Sequence, residues 1–325
     1  MSALAEAVYL DSFLAPLAPL LARADVTDIY VNRPGEAWVE TLGGAAEAID
    51  LPTLTEPVLL RLARQIAAAN AQGVSREHPL LAGSLPDGAR VQVVLPPATR
   101  GAVAIAIRKH VAGGLTLDDY TQGGAFAETA FGTERQRSPI PAPQSAHDMA
   151  GLLRDAVRGR RNVLVSGGTS SGKTTFLNAL LAEIPMHERL ILIEDTPELQ
   201  IAQPNAVGLL AARGGQGEAR VAPEDLLLAA LRMRPDRIIL GEMRGSEALT
   251  FLRAVNTGHP GSLSTIHADS PERAIDQLAL LVLQTGTQMN WDDVVRYVRR
   301  SLDLVVHLVR DAGGRRIERI MAVAD

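Results

Sequence analysis

Eight consecutive residues, Gly167-Gly168-Thr169-Ser170-Ser171-Gly172-Lys173-Thr174, fit the spacing G-x-x-x-x-G-K-[ST] at every fixed position. Each residue type answers a physical need. Glycines let backbone N–H groups close around phosphate oxygens. A helix starting at the loop turns its positive end toward the same anion. Lys173 brings a point charge to the β and γ oxygens, and Thr174 offers a hydroxyl to Mg²⁺. Thr175 completes the expected nucleotide-contacting set. The flanks agree: Val163, Leu164, Val165 and Ser166 form a buried-type strand before the loop, and Phe176, Leu177 and Leu180 recur at helical spacing after it. A chance glycine turn would not bring strand, loop and helix in that order. The expected ligands are ATP and Mg²⁺; the motif says much less about what the nucleotide is for.

Hydrolysis needs a group that orients or deprotonates water. The stretch Arg237-Ile238-Ile239-Leu240 reads as a strand ending at Gly241-Glu242. Ligands of a doubly wound sheet sit beyond the carboxyl ends of its strands, which aims Glu242 at the phosphates. The aspartate usual at such a strand end is absent, and Gly241 stands in its place; a merely solvated carboxylate is the bland alternative for Glu242. A second acidic run, Glu194-Asp195-Thr196-Pro197-Glu198, follows Leu190-Ile191-Leu192-Ile193. Glu194, Asp195 and Glu198 could hold Mg²⁺, some through water, or Asp195 or Thr196 could cap a helix, and the two readings are compatible. His259 and His267 bracket a glycine-flanked segment and suit γ-phosphate sensing. Zinc fits poorly, because no third ligand has suitable spacing.

These groups require a scaffold. From residue 162 onward strands and helices alternate (162–166, 190–194, 237–240 and 261–265 as strands), which predicts a parallel sheet with crossover helices. Earlier, residues 28–32 and 37–40 read as a hairpin around Arg33-Pro34-Gly35, residues 56–70 as an amphipathic helix, and residues 90–94 and 102–107 as strands. The expected fold is α/β, with a smaller α+β N-terminal domain (1–110), a Gly/Pro-rich linker (111–145) and a C-terminal parallel-sheet domain (146–325). The linker is too long for a routine connection, which suggests that it is mobile or functionally placed.

Composition narrows the function classes. In 325 residues there is no cysteine, so disulfides, thiol catalysis and Cys-ligated zinc are excluded together. The net charge of −5 argues against a broad nucleic-acid surface, although not against a local basic groove. The apolar stretch 13–22 contains Pro16 and Pro19 and follows Glu6 and Asp11, so it reads as the N-terminal helix of a soluble protein and not as a leader. No segment reaches the ~18 uninterrupted apolar residues of a membrane span, so membrane contact is expected to be peripheral or through partners.

Taken in order, GGTSSGKTT, IEDTPEL, IILGEMRG and TGHPGSLSTIHA resemble the hexameric secretion ATPases of the type II and type IV secretion superfamily, in which the aspartate missing at Gly241 is habitually missing. VTDIYVNRPGEAWVE and DGARVQVVLPP with AIRKH resemble the N-terminal domain of the VirB-type type IV secretion ATPases, so the resemblance covers nearly the whole chain. It implies a RecA-like C-terminal domain, a homohexameric ring with the two domains in separate tiers, and nucleotide held between the domains. It also implies work on export or pilus assembly at the cytoplasmic face of the inner membrane, with secretion-channel components and coupling ATPases as partners. By motif, Arg90 and Arg108 would reach the phosphates from the N-terminal domain, and Arg244 would serve the site or a subunit contact; surface ion pairing is the alternative for all three. The runner-up is a Tad or type IV pilus-assembly ATPase. A DNA-translocating RecA-like motor is the reading from a different class, with Arg296, Arg299, Arg300, Arg315, Arg316 and Arg319 as its only candidate surface. A small-molecule kinase lacks any lid or acceptor-pocket signal.

Overall fold

The computed structural model describes residues 3–109, 116–127, 129, 145–212 and 217–323. The expected linker lies mostly outside the described residues. Within it, Thr116 caps a short helix, α4 (Leu117–Gln122), and exchanges hydrogen bonds with Asp119.

The N-terminal part runs α1 (Ala3–Leu14), α2 (Ala18–Ala22), β1 (Val26–Val31), β2 (Gly35–Thr41), β3 (Glu47–Leu51), α3 (Glu56–Ala69), β4 (Leu80–Ser84), β5 (Arg90–Val94) and β6 (Ala104–Arg108). Its six strands are ordered β3-β2-β1-β6-β5-β4, with every neighbouring pair antiparallel. The helix expected across 13–22 is divided. α1 ends before Pro16, whose ring is incompatible with a continuing helix, and Pro19 sits in the first turn of α2, where a missing N–H costs nothing. The period-2 alternation of the strands sorts side chains to two faces. Ile29, Val31, Val91, Val93, Ile105 and Ile107 pack with Leu10 and Leu14 of α1 and Leu59, Leu62 and Ile66 of α3. Tyr30, Val94, Ala104 and Ala106 point the other way, into the core of the C-terminal part.

That part continues with α5 (Ala146–Arg158), β7 (Val163–Gly167), α6 (Lys173–Leu181), β8 (Leu190–Glu194), β9 (Ala206–Leu210), α7 (Pro223–Arg232), β10 (Arg237–Leu240), α8 (Glu247–Asn256), β11 (Leu263–Ile266), α9 (Pro271–Leu283), α10 (Trp291–Ser301), β12 (Leu304–Asp311) and β13 (Gly314–Ala322). The strand order is β13-β12-β7-β11-β10-β8-β9, parallel throughout except for the terminal β12–β13 hairpin. One face of the sheet buries Val163, Val165, Leu192, Ile239 and Val306 with Leu153 and Val157 of α5 and Leu177 and Leu180 of α6. The opposite face buries Leu164, Ile191, Ile193, Ile238 and Leu240 with α7, α8, α9 and α10. Near-continuous apolar strands are what a sheet covered on both faces demands.

The two parts are joined by main chain as well as side chain. Residues 98–100 lie antiparallel against the outer edge of β9, with Arg100 N donating to Gly208 O and Leu210 N to Ala98 O, both at 2.9 Å. Toward the amino ends of the parallel strands, Arg189 is buried with its guanidinium 3.9 Å from the centre of the Tyr30 ring, and it donates to Asn32 and Asn205. Burial, opposed by nearby acidic and phenolic groups, pushes the Arg189 pKa down to about 10.

Candidate active site

The phosphate loop joins β7 to α6. Gly172 caps α6 with no side-chain cap bond, and its φ of +96° is one that glycine adopts without strain. A Cβ on Gly167 would lie 2.5 Å from both Leu308 O and Ser171 Oγ, so only glycine fits that close approach. Ser171 Oγ is buried and has no hydrogen-bond partner among the described residues. Gly168, Thr169, Ser170 and Thr175 are exposed, and Thr174 is half-buried. Lys173 is buried and reaches back over the loop, donating to Gly167 O at 3.0 Å and Gly168 O at 3.1 Å. Burial lowers its pKa, the Glu242 carboxylate works against that shift, and the Arg244 charge adds to it.

Glu242 sits two residues past the end of β10, and His267 directly follows β11. His267 links the two sides of the site: Nδ1 is 3.3 Å from Lys173 Nζ, and Nε2 is 2.9 Å from Glu242 Oε1. The second approach is not a hydrogen bond, and Oε1 is buried and unbonded. Glu242 Oε2 accepts from Arg244 Nη2 at 2.5 Å, and Arg244 Nη1 is 3.7 Å from Asp195 Oδ2. Glu247, buried at the start of α8, accepts the backbone N–H groups of Arg244 and Gly245 and so fixes the turn that carries both Glu242 and Arg244. Thr265 Oγ1 donates to Gly241 O at 2.8 Å, tying the end of β10 to β11.

Several sequence expectations are corrected. Glu194 does not face a metal: Oε1 accepts from the backbone N–H groups of Glu198 at 2.9 Å and Leu199 at 2.7 Å, and Oε2 pairs with Arg100 of the N-terminal part. No helix begins at Asp195 or Thr196; the carboxylate of Glu194 closes that turn instead. The same side chain accounts for Gly241, because a Cβ there would lie 3.2 Å from Glu194 Cγ. The side chain of Glu194 takes the space that an aspartate at 241 would need. Asp195 and Glu198 are exposed, and Asp195 faces Arg244. His259 lies at the amino end of the sheet, where Nδ1 donates to Pro235 O at 2.8 Å, away from the phosphate loop.

Arg90 and Arg108 are register partners on β5 and β6, with Asp28 opposite Arg108 on β1. Arg108 approaches Asp28 at 4.0 Å, and Asp28 also meets Arg234, which precedes the amino end of β10. The N-terminal part borders β9, four strands from β7, or about 19 Å at ~4.8 Å per strand. Within one chain, therefore, neither arginine reaches the phosphate loop. Arg100, Glu247 and Thr265 were not anticipated. Their roles depend on contacts between distant segments, and no local pattern marks them.

Residues 142–322 match the family described as Type II/IV secretion system protein. The chain belongs to that family. It is 38% identical over 336 residues to the type IV secretion system protein VirB11 of Brucella suis, an alignment covering 98% of this chain and 91% of the relative. It is 35% identical over 317 residues to VirB11 of Bartonella quintana (92% and 89% covered). It is 38% identical over 309 residues to PtlH of Bordetella pertussis (93% and 91% covered). The crystal structure of the Brucella suis VirB11 ATPase with sulphate superposes with a TM-score of 0.88 at 36% identity, covering 98% of this chain and 96% of that one. The fold is thus the two-part α/β architecture of a VirB-type secretion ATPase, and the chain is an ATPase of that type.

Proposed function

We propose that the chain is the ring-forming motor ATPase of a type IV secretion system, coupling ATP hydrolysis to export or pilus assembly. One observation supports the chemistry above others. Glu242 Oε1 is a buried carboxylate oxygen without a hydrogen bond, held at a strand end beside His267, whose other nitrogen faces Lys173. A carboxylate so placed can accept a proton from, or orient, a water attacking the γ-phosphate. Lys173 supplies charge to the β and γ oxygens, and the open backbone N–H groups of the loop and the start of α6 take the remaining oxygens. Arg244 holds Glu242 by one oxygen and so fixes the direction of the other. The unpartnered Ser171 hydroxyl suits an oxygen-rich ligand in the loop.

Among the described residues no group of three histidines or carboxylates could hold a metal by itself. The donor set fits Mg²⁺ carried in on the nucleotide: the Thr174 hydroxyl would hold it, with Asp195 reaching it through water. Bound there, the ion would neutralise charge on the β and γ phosphates.

Assembly completes the reading. Arg90 and Arg108 stand away from their own loop, and we assign them to the phosphate loop of a neighbouring copy in a six-membered ring. Among the described residues no helix is long and apolar enough to cross a membrane. In this reading the ring works at the cytoplasmic face of the inner membrane, docked on channel components. Glu242→Gln keeps size and loses the base, so ATP binding survives while turnover falls by at least ~100-fold. Lys173→Ala loses both. Light scattering with ADP present is expected to give a hexamer. A Glu242→Gln chain that hydrolyses ATP at the parental rate, or a strict monomer under all conditions, overturns the corresponding half of the proposal.

A further inference from the structure

The β12–β13 hairpin does more than close one edge of the sheet. The last pairing of β12 with β7 is Leu308 with Gly167, yet β12 runs on to Asp311 and β13 returns from Gly314. The hairpin tip therefore overhangs the phosphate loop. Arg310 and Arg315 are register partners at this tip, and directly opposed residues of an antiparallel pair project from the same face. Arg315 touches the loop: its Nε donates to Ser170 O at 3.1 Å, and its Cδ lies 3.2 Å from where a Cβ on Gly172 would be.

The charges around the tip are partitioned. Arg316 pairs with Asp311 and Glu318, and Arg319 pairs with Glu272. Among the described residues, Arg310 and Arg315 have no carboxylate within ion-pair distance. Two opposed cations without an anion repel one another, which is unfavourable in a sheet unless an anion arrives. The strand order indicates which part of a bound nucleotide would lie nearby. Glu242 and His267 follow β10 and β11, on one flank of β7, and mark the γ-phosphate end. The hairpin is on the other flank, so with the γ-phosphate beside Glu242 the chain of phosphates would lead back past it to the nucleoside.

We propose that Arg315, seconded by Arg310, binds the nucleoside end of ATP and ADP by pairing its guanidinium with the α-phosphate. Its planar fork suits paired bonds to phosphate oxygens, and its Nε bond to Ser170 O keeps the fork at the loop. The contact is made equally to substrate and product, so it contributes to binding and leaves the chemical step alone. The assignment rests on the phosphate loop being the nucleotide site.

The test is Arg315→Ala in the full chain, with ADP and ATP affinities measured by calorimetry beside steady-state kinetics. Loss of charge-assisted bonds predicts both affinities falling by the same factor, roughly tenfold or more, with KM rising and kcat within about threefold of the parent. Arg315→Lys keeps the charge and a donor for Ser170 but loses the fork, and falls in between. The melting temperature without nucleotide stays at the parental value, while the rise produced by ADP shrinks; a residue that merely braced the loop would give the reverse. Affinities within twofold of the parent overturn the proposal, as does a loss confined to ATP, which would move Arg315 to the γ end. If the parental chain itself binds no ADP, the nucleotide-site reading fails first, and the two failures are thereby distinguished.

Discussion

Restoring the aspartate missing at position 241 is expected to harm this protein. Gly241 is not in a conformation reserved for glycine, so the obstacle is space and charge. In Gly241→Ala the new Cβ lies 3.2 Å from Glu194 Cγ and 3.4 Å from Ile193 O, and one neighbour must yield by a few tenths of an ångström. Overpacking of this size costs about 1–3 kcal/mol. Gly241→Asp adds a carboxylate against Glu194, which is only 5% exposed. Moving Glu194 aside would strip acceptors from the N–H groups of Glu198 and Leu199 and from Arg100, at about 1–3 kcal/mol for each buried donor left unpaired. The aspartate is therefore expected to cost more than the alanine, about 3 kcal/mol or above. Urea unfolding measures this as a lower midpoint at constant slope, and ATP turnover should fall as the end of β10 is displaced. In a Glu194→Ala background the space is open and Gly241→Asp should cost distinctly less, a non-additivity that marks direct contact. A Gly241→Asp chain as stable and as active as its parent would show that Glu194 does not hold that space.

Mixing separately inactive Arg108→Ala and Lys173→Ala chains should restore part of the ATPase rate, because some neighbours then join an intact loop to an intact arginine; a mixture as inactive as its components refutes action across copies. Arg237, fully buried, holds Glu188 through two bonds of 2.6 and 2.7 Å and also donates to Val157 O, so Arg237→Ala should cost about 3–5 kcal/mol in denaturant unfolding. The Arg237→Met/Glu188→Gln pair should cost clearly less, and equal costs would refute the charge argument. Burial is the main cause holding His259 and His307 below the ordinary histidine pKa. The unfolded chain therefore takes up protons first as pH falls through ~6.5, and stability present at pH 7.5 is lost toward pH 5.5. Replacing both histidines by glutamine should flatten that slope, and an unchanged slope would count against it.

Much of the site was legible because its chemistry is local. The loop 167–174 carries its own strand and helix, and the apolar runs Leu190–Glu194 and Arg237–Leu240 form strands with the expected bounds. What stayed hidden depends on contacts between distant segments. β9 contains Gly208, which reads as a strand breaker, but a Cβ there would lie 2.5 Å from Arg100 Cδ, so the glycine admits the incoming N-terminal segment. β13, GRRIERIMA, is largely exposed and charged, as suits an edge strand, and it offers little apolar alternation to detect. Glu194 shows the same limit from the opposite side: an acidic run beside a phosphate loop invites a metal reading, and only the approach of Arg100 reveals that its carboxylate is already engaged.

The seam between residues 98–100 and β9 bears on how the molecule can be divided. Removing the N-terminal part would leave the N–H of Leu210 and the C=O of Gly208 without their partners, on a strand whose middle residues are buried apolar ones. A bare edge of that kind is a template for another strand, and a C-terminal half made alone is expected to be adhesive, recruiting copies of itself or any extended peptide at hand. The sequence places a join between two modules near residue 110, but cohesion ignores it: each half supplies the surface that keeps the other from sticking. Insertions, tags or circular permutations in this protein belong in the turns far from that seam, such as the one between β2 and β3.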